Sequence, residues 1–310
     1  VKKLKFAILF VILSMLFACE KSLNLELEEK GGKLVLFSFL NPDSAFSVHL
    51  SKSVSHMSVD DYERVYDGNI IVYRNGSIVD NFVFPFDNVW AHRNNFKFSA
   101  GDTILIKAVD GEGQNVYGKT AVPDAVKVNI KDTATIEIND KEYGNSKALK
   151  CNLIISDPVG GDNCYQLVVF EELYSVENGD TICDRSKIDY HKDDPVFYVR
   201  DQEGSLIGEL DFGGCFSDYL FDGEEYELSL NLSDQYSKAP GSPYAERKLL
   251  FVLLSHTRAY YDYYRSRIVA EYGYDLPLID PIRIYNNVEG GLGLVAAYTA
   301  SKDSLVFSNQ

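Results

Sequence analysis

The chain has 310 residues, with 46 acidic against 30 basic side chains, a net charge of −16, and an aromatic content of 13% dominated by 21 tyrosines and 18 phenylalanines. So acidic a surface repels nucleic-acid phosphates, and no basic nucleic-acid-binding face is expected. The aromatic content excludes disorder as the general state and fits an all-β extracytoplasmic protein.

Val1-Lys2-Lys3-Leu4-Lys5 is a short basic start, and Phe6 to Phe17 is an apolar run broken only by Ser14, too short for a permanent membrane span. It ends in Leu16-Phe17-Ala18-Cys19, which resembles a bacterial lipobox. That resemblance implies cleavage before Cys19 and lipidation of Cys19, so residues 1–18 are expected to be a lipoprotein signal peptide. Cleavage would remove three lysines and no acids, leaving 27 basic against 46 acidic side chains and a net charge of −19. Residues 19–32 follow as an acidic, leucine-alternating tether that lets an anchored domain stand off the membrane.

From Lys33 the pattern is β. Leu34–Leu40 and the alternating Phe46–Ser51 read as strands separated by the turn cluster Asn41-Pro42-Asp43-Ser44. Asn69–Tyr73 and Ile78–Phe84 form a hairpin, with Asn75-Gly76 supplying the positive φ angles of a tight turn. Phe96–Phe98, Thr103–Val109 and Val116–Thr120 follow, with Asp110-Gly111-Glu112-Gly113 as another turn. Short strands at this spacing predict an immunoglobulin-like β-sandwich over residues 33–124, bounded by Pro123.

Beyond it, Val126–Ile130, Ala134–Asn139, Ala148–Ser156, Cys164–Leu173, Pro195–Arg200, Glu225–Leu232 and Arg247–Leu254 predict a second β-rich domain over residues 125–310. Asp157–Asn163 reads as a hairpin turn between two of these strands. Ser255 to Tyr272 lacks Gly and Pro and repeats Tyr260, Tyr264 and Ile268 at one-turn spacing, which predicts an amphipathic helix with Ser255 as N-cap and Gly273 as stop. Pro281–Tyr285 and Asn286–Gly293 follow, and a last strand, Leu294–Tyr298, closes the chain. The expected fold is therefore mainly β, a sandwich followed by a β-rich domain carrying one helix near 256–272.

Beside Cys19, the four cysteines Cys151, Cys164, Cys183 and Cys215 admit three pairings in an oxidising envelope. Cys183 with Cys215 is the favoured disulfide, against the alternative of four small buried thiols. There is no CxxC or histidine spacing for zinc, and the acidic pairs do not follow an EF-hand, so neither a metal nor a cofactor is expected. GxSxG, HExxH, P-loop and helix-opening GxGxxG motifs are absent too, and an enzyme is not expected. Two stretches stand out as candidate ligand surfaces. Tyr261 and Tyr263, in the cluster Tyr260-Tyr261-Asp262-Tyr263-Tyr264, offer rings for stacking, although an apolar helix stripe needs such positions too. Asn287 and Glu289 lie in Asn286-Asn287-Val288-Glu289-Gly290-Gly291-Leu292-Gly293, where the glycines also fit a structural bulge before the last strand.

Several stretches together resemble one family: Cys19-Glu20-Lys21 with its acidic-leucine tether, Asp157-Pro158-Val159-Gly160 leading into Asn163-Cys164-Tyr165-Gln166-Leu167, Leu220-Phe221-Asp222-Gly223, the tyrosine helix, and the Asn-x-Glu-Gly-Gly-x-Gly ending. In this order they are similar to the domain-of-unknown-function family DUF4249, lipoproteins of Bacteroidota, over nearly all of the chain beyond Cys19. Cys164 departs from the aromatic usual at its place. The resemblance carries no catalytic residues. It implies a lipid-anchored outer-membrane protein found beside TonB-dependent receptors as an accessory of nutrient uptake. The expected partners are thus the membrane through its lipid, a TonB-dependent receptor and an unidentified small ligand. Which face of the outer membrane it occupies is left open. The rival expectation is an adhesive or structural envelope lipoprotein that contacts other proteins.

Overall fold

The computed structural model describes residues 32–55, 58–84, 89–140, 144–198, 210–241, 243–274 and 283–308. The expected signal peptide, Cys19 and all of the expected tether but Gly32 lie outside the described residues. The chain is mainly β, with seventeen strands and one α-helix among the described residues.

Strand β1 (Leu34–Leu40) alternates strictly, burying Leu34, Leu36 and Leu40 on one face and leaving Val35, Phe37 and Phe39 half-buried on the other. It pairs antiparallel with β2 (Phe46–Lys52), along which β3 (Glu63–Arg64) and β6 (Trp90–Arg93) are aligned. Facing them is a five-stranded sheet containing β4 (Asn69–Arg74), β5 (Ser77–Val83), β7 (Thr103–Val109), β8 (Asn115–Ala121) and the two-residue β16 (Val288–Glu289). Asn75 and Gly76 turn the β4–β5 hairpin with φ of 51° and 84°, as their sequence predicts. Leu36, Leu50, Ile70, Val72, Ile104 and Ile106 fill the space between the sheets and are fully buried. The expected strand at Phe96–Phe98 is not a strand. Both rings pack against this core from an irregular segment, and Trp90–Arg93 takes the pairing place on β2 instead.

The second core lies between a three-stranded sheet and the far half of the sheet that holds β1. The three strands are β9 (Val128–Asp140), β10 (Gly144–Ser156) and β14 (Glu225–Ser233). Opposite stand β11 (Cys164–Glu177), β12 (Asp180–Ile188), β13 (Cys215–Ser217), β15 (Glu246–His256) and β17 (Leu292–Ser308). Leu153, Leu228, Leu230, Leu249, Phe251 and Leu253 are fully buried between them. The expected hairpin about Asp157–Asn163 is corrected here: β10 and β11 belong to facing sheets, so residues 157–163 cross from one layer to the other. The two expected strands Val126–Ile130 and Ala134–Asn139 are one strand, β9. At Pro195–Phe197 the chain forms a single 3-10 turn capped by Asp194 rather than a strand.

One strand joins the two cores. The first six residues of β17 run parallel to β1, Leu292 opposite Val35 through Ala297 opposite Leu40. The rest runs antiparallel to β15, from Tyr298 opposite His256 to Ser308 opposite Glu246. Strands from both ends of the chain thereby form one nine-stranded sheet that contributes a layer to each core. The segment around Pro123 links β8 to β9, but residues 288–297 complete the sandwich begun by residues 33–124.

The expected Cys183–Cys215 disulfide does not form; all four cysteines from Cys151 onward are free, and only Cys183 is exposed. On β11, Cys215 stands opposite Gln166 and Cys183 opposite Tyr174. Eight residues of extended chain separate those positions, about 26 Å at the usual rise, where a disulfide needs Cα atoms within about 7 Å.

The helix, α1 (Arg258–Tyr274), lies across the outer face of the nine-stranded sheet. The expected N-cap at Ser255 is also corrected. Ser255 is still in β15, its hydroxyl accepting from the Val126 backbone N–H at 3.1 Å, and the first turn closes on Thr257, whose carbonyl accepts from Tyr260 N at 3.0 Å. Beneath α1, Tyr261 is buried with Cys164, Phe212 and Cys215, flanked by Tyr264, Ile268 and Val269. No helix among the described residues is long and apolar enough to cross a membrane.

Candidate functional site

Arg258, Tyr261, Asp262, Arg265 and Val269 recur at spacings of three and four, so they share one face of α1. That face looks onto residues 283–286, and together they line an open cavity of about 530 Å³. A smaller one, about 280 Å³, opens on the other side of Arg258, Tyr261 and Arg265 toward Asp162, Asp218 and Tyr219. The guanidinium groups are held in place. Arg258 donates through Nε to Asp262 at 2.9 Å and has Asp162 at 3.7 Å from Nη1. Arg265, nearly buried, donates from Nη1 to the Tyr261 hydroxyl at 2.6 Å and lies over the Phe212 ring at 4.7 Å. The Tyr261 ring has Arg258 at 5.5 Å and Arg265 at 5.0 Å from its centroid, both within cation–π range.

The four candidate ligand residues do not come together. Tyr261 lines the cavity but is only 4% exposed, its hydroxyl accepting from Arg265. Tyr263 points elsewhere, packing edge-on against Phe37 at 5.8 Å. Asn287 is engaged by backbone: its amide donates to the Val295 carbonyl at 2.8 Å and its carbonyl accepts from Val295 N–H at 2.9 Å. Glu289 lies over the first sandwich, accepting from the Tyr117 hydroxyl, whose pKa that bond raises. Cys19 lies outside the described residues. The arginines escaped the sequence reading, although Arg258, Tyr261, Asp262 and Arg265 at i, i+3, i+4 and i+7 were a legible stripe.

Beside the smaller cavity, three family-like motifs meet in one knot. Asp157 accepts from the Tyr165 hydroxyl and, at 2.8 Å, from Gly223 N–H. Asp218 accepts from Asn163 N–H at 2.9 Å, and Asp222 accepts from Gly160 N–H at 3.2 Å. Asp157, Asp218 and Asp222 each bring an oxygen within 4.8 Å of the others. Such oxygens are the donors a hard cation prefers, but here they already serve as acceptors that lock the loops. Burial, with the charges of Asp157, Asp222 and Asp162 added, raises the pKa of Asp218 against the lowering effect of the Asn163 N–H. The neighbouring thiols are inert, since burial pushes Cys164 up to about 12 and Cys215 higher still.

The Asn286–Gly293 ending is a clasp. Gly293 has φ of 125°, and a Cβ there would fall 1.9 Å from the Leu36 carbonyl oxygen; one at Gly291 would fall 2.3 Å from the Leu34 carbonyl oxygen. Backbone meets backbone at both places, where only glycine fits. The ending thus seats β17 against β1, while Val288 and Glu289 pair with Gly118 and Tyr117 of the facing sheet.

No curated protein matches the chain. A family profile described as "Domain of unknown function (DUF4249)" matches residues 20–304, a span that includes both cores, the knot, α1 and the clasp, and the chain belongs to that family.

Proposed function

We propose that this protein is a non-enzymatic lipoprotein of the cell envelope, anchored in the outer membrane through lipid on Cys19, that serves a TonB-dependent transporter as its ligand-binding accessory. The observation that carries this reading is the cavity beside α1. Its volume of about 530 Å³ suits a small organic ligand, and it is walled by the held guanidinium groups of Arg258 and Arg265, by Arg283 and by tyrosine rings. The basic, apolar, cysteine-ended start of the chain supports the anchor. The first described strand begins at Leu34, so a short tether from Cys19 would lead directly into the centre of the long sheet.

A second reading, an adhesive or structural lipoprotein, draws on another feature. Tyr62 and Trp90 flank His49 at 6.3 and 5.2 Å on the outer sheet face and are each more than a third exposed, which is how protein-contact surfaces often look. The two separate in a mild-detergent pull-down of the natively lipidated protein. The first expects near-stoichiometric recovery of a TonB-dependent receptor. Recovery of the protein alone, from membranes where such receptors are intact, would overturn it in favour of the second.

A further inference from the structure

We infer that the cavity beside α1 binds an organic oxyanion, a carboxylate or phosphate group carried on a flat or apolar body; the inference rests on the ligand-binding reading above. Its first support is charge. The described lining residues hold three arginines and one acid, Asp262, with Asp162 a second carboxylate 3.7 Å from Arg258, in a chain with 46 acidic and 30 basic side chains. A cationic recess in so acidic a protein runs against its general field and concentrates anions locally.

Donor geometry is the second support. Among the described residues Arg258 hydrogen-bonds through Nε alone, since its 3.7 Å approach to Asp162 is an ion pair too long for a hydrogen bond. Its Nη groups therefore keep their donors. Arg283, on the opposite wall, is exposed and has no ion-pair partner among the described residues. Two guanidinium forks with spare donors match the planar oxygens of a carboxylate or the oxygens of a phosphate. Arg265 is a fixture of the floor, held by Tyr261 and Phe212.

The rest of the wall specifies the body of the ligand. Val269, Ile284 and the Tyr285 ring offer apolar and flat surface, and the volume far exceeds that of a bare ion. An oxyanion gripped by Arg258 and Arg283 would leave its organic part against these three side chains.

The test is calorimetric titration of the full chain in mild detergent with benzoate, phenyl phosphate, inorganic phosphate and uncharged benzyl alcohol. Saturable binding of benzoate or phenyl phosphate, with none for benzyl alcohol and weaker binding of inorganic phosphate, is expected. Which organic anion wins tells carboxylate from phosphate. Arg283→Gln, at an exposed side chain without an ion-pair partner among the described residues, and Arg258→Gln should each weaken binding about tenfold. The inference is overturned if neither organic anion binds saturably, or if binding is unchanged in both variants. Receptor recovery without anion binding would remove this inference and leave the accessory reading, and anion binding without a receptor would do the reverse.

Discussion

Lowering the pH should charge a histidine that the fold keeps neutral. His256 ends β15 and is 6% exposed, its ring stacked on Tyr260 at 4.1 Å. Nε2 lies 3.3 Å from Gln166 Oε1, and Nδ1 has no hydrogen-bond partner among the described residues. Burial lowers its pKa from an ordinary 6.5 to about 3. A folded pKa below the unfolded one means that the unfolded chain takes up the proton first. Stability is therefore intact above pH 6.5 and declines as pH falls toward 3. Linkage puts the loss between about pH 7.5 and about pH 5 at about 2 kcal/mol, a melting shift of about 3 °C for a chain of this size. Denaturant unfolding of wild type and His256→Phe at both pH values isolates the effect. Phenylalanine preserves the stacking and cannot titrate, and its fixed cost, including the partner lost to Gln166, cancels in the pH difference. His49 and the carboxylates titrate in both proteins and cancel as well. The variant should be about 2 kcal/mol less pH-sensitive over this range. Equal pH dependence in the two proteins would refute the reasoning.

Three further outcomes test the fold. Asn287→Ala removes both side-chain bonds to Val295 and should cost about 2 kcal/mol in denaturant unfolding; because Asn287 lines no part of the cavity, ligand affinity should not move. Gly293→Ala forces a methyl onto the Leu36 carbonyl and should cost more than about 4 kcal/mol, whereas Gly76→Ala, at a positive φ with open space around it, should cost about 1 kcal/mol; expression yield and thermal melts would rank them. Maleimide labelling followed by mass measurement should modify Cys183 in the native protein while Cys151, Cys164 and Cys215 react only after unfolding, and labelling of all four in the native state would contradict their burial.

Local pattern carried the first sandwich well, because strands such as β1 and β7 bury every second residue and say so in their composition. It failed where burial does not alternate. Strand β12 is exposed along both faces, with Ile188 its one buried residue, and reads as loop; its only herald is Asn178-Gly179, whose φ angles of 52° and 92° turn the hairpin. Phe96 and Phe98 failed in the opposite sense, since apolar alternation reports what is buried and not whether the backbone is paired. A serine ahead of a helical period reads as a cap at Ser255, but β15 continues through His256 and both residues are buried. The union of the two cores was beyond reach for a further reason. Alternation tells a strand which face to bury and never names its neighbour, so nothing in Leu292–Ala297 announced a parallel partner at Val35–Leu40.

The same limit explains why the conspicuous residues and the candidate site parted company. Residues stand out in sequence when backbone geometry demands them, and Gly291, Gly293, Asn287 and Asp157 answer to such demands: close backbone approach, or hydrogen bonds that fasten one loop to another. Substitutions there change whether β17 seats or the knot closes, so they report on folding whatever the ligand. Arg283 is the contrary case. It is exposed and supports no core contact among the described residues, so its sequence context carries no mark, and only the folding of residues 283–286 against α1 brings it opposite Arg258. A residue that the fold does not need is one whose replacement can change ligand binding while the melting temperature stays put. That separation of readouts is what makes Arg283, rather than the motif that identifies the family, the place to ask what this protein binds.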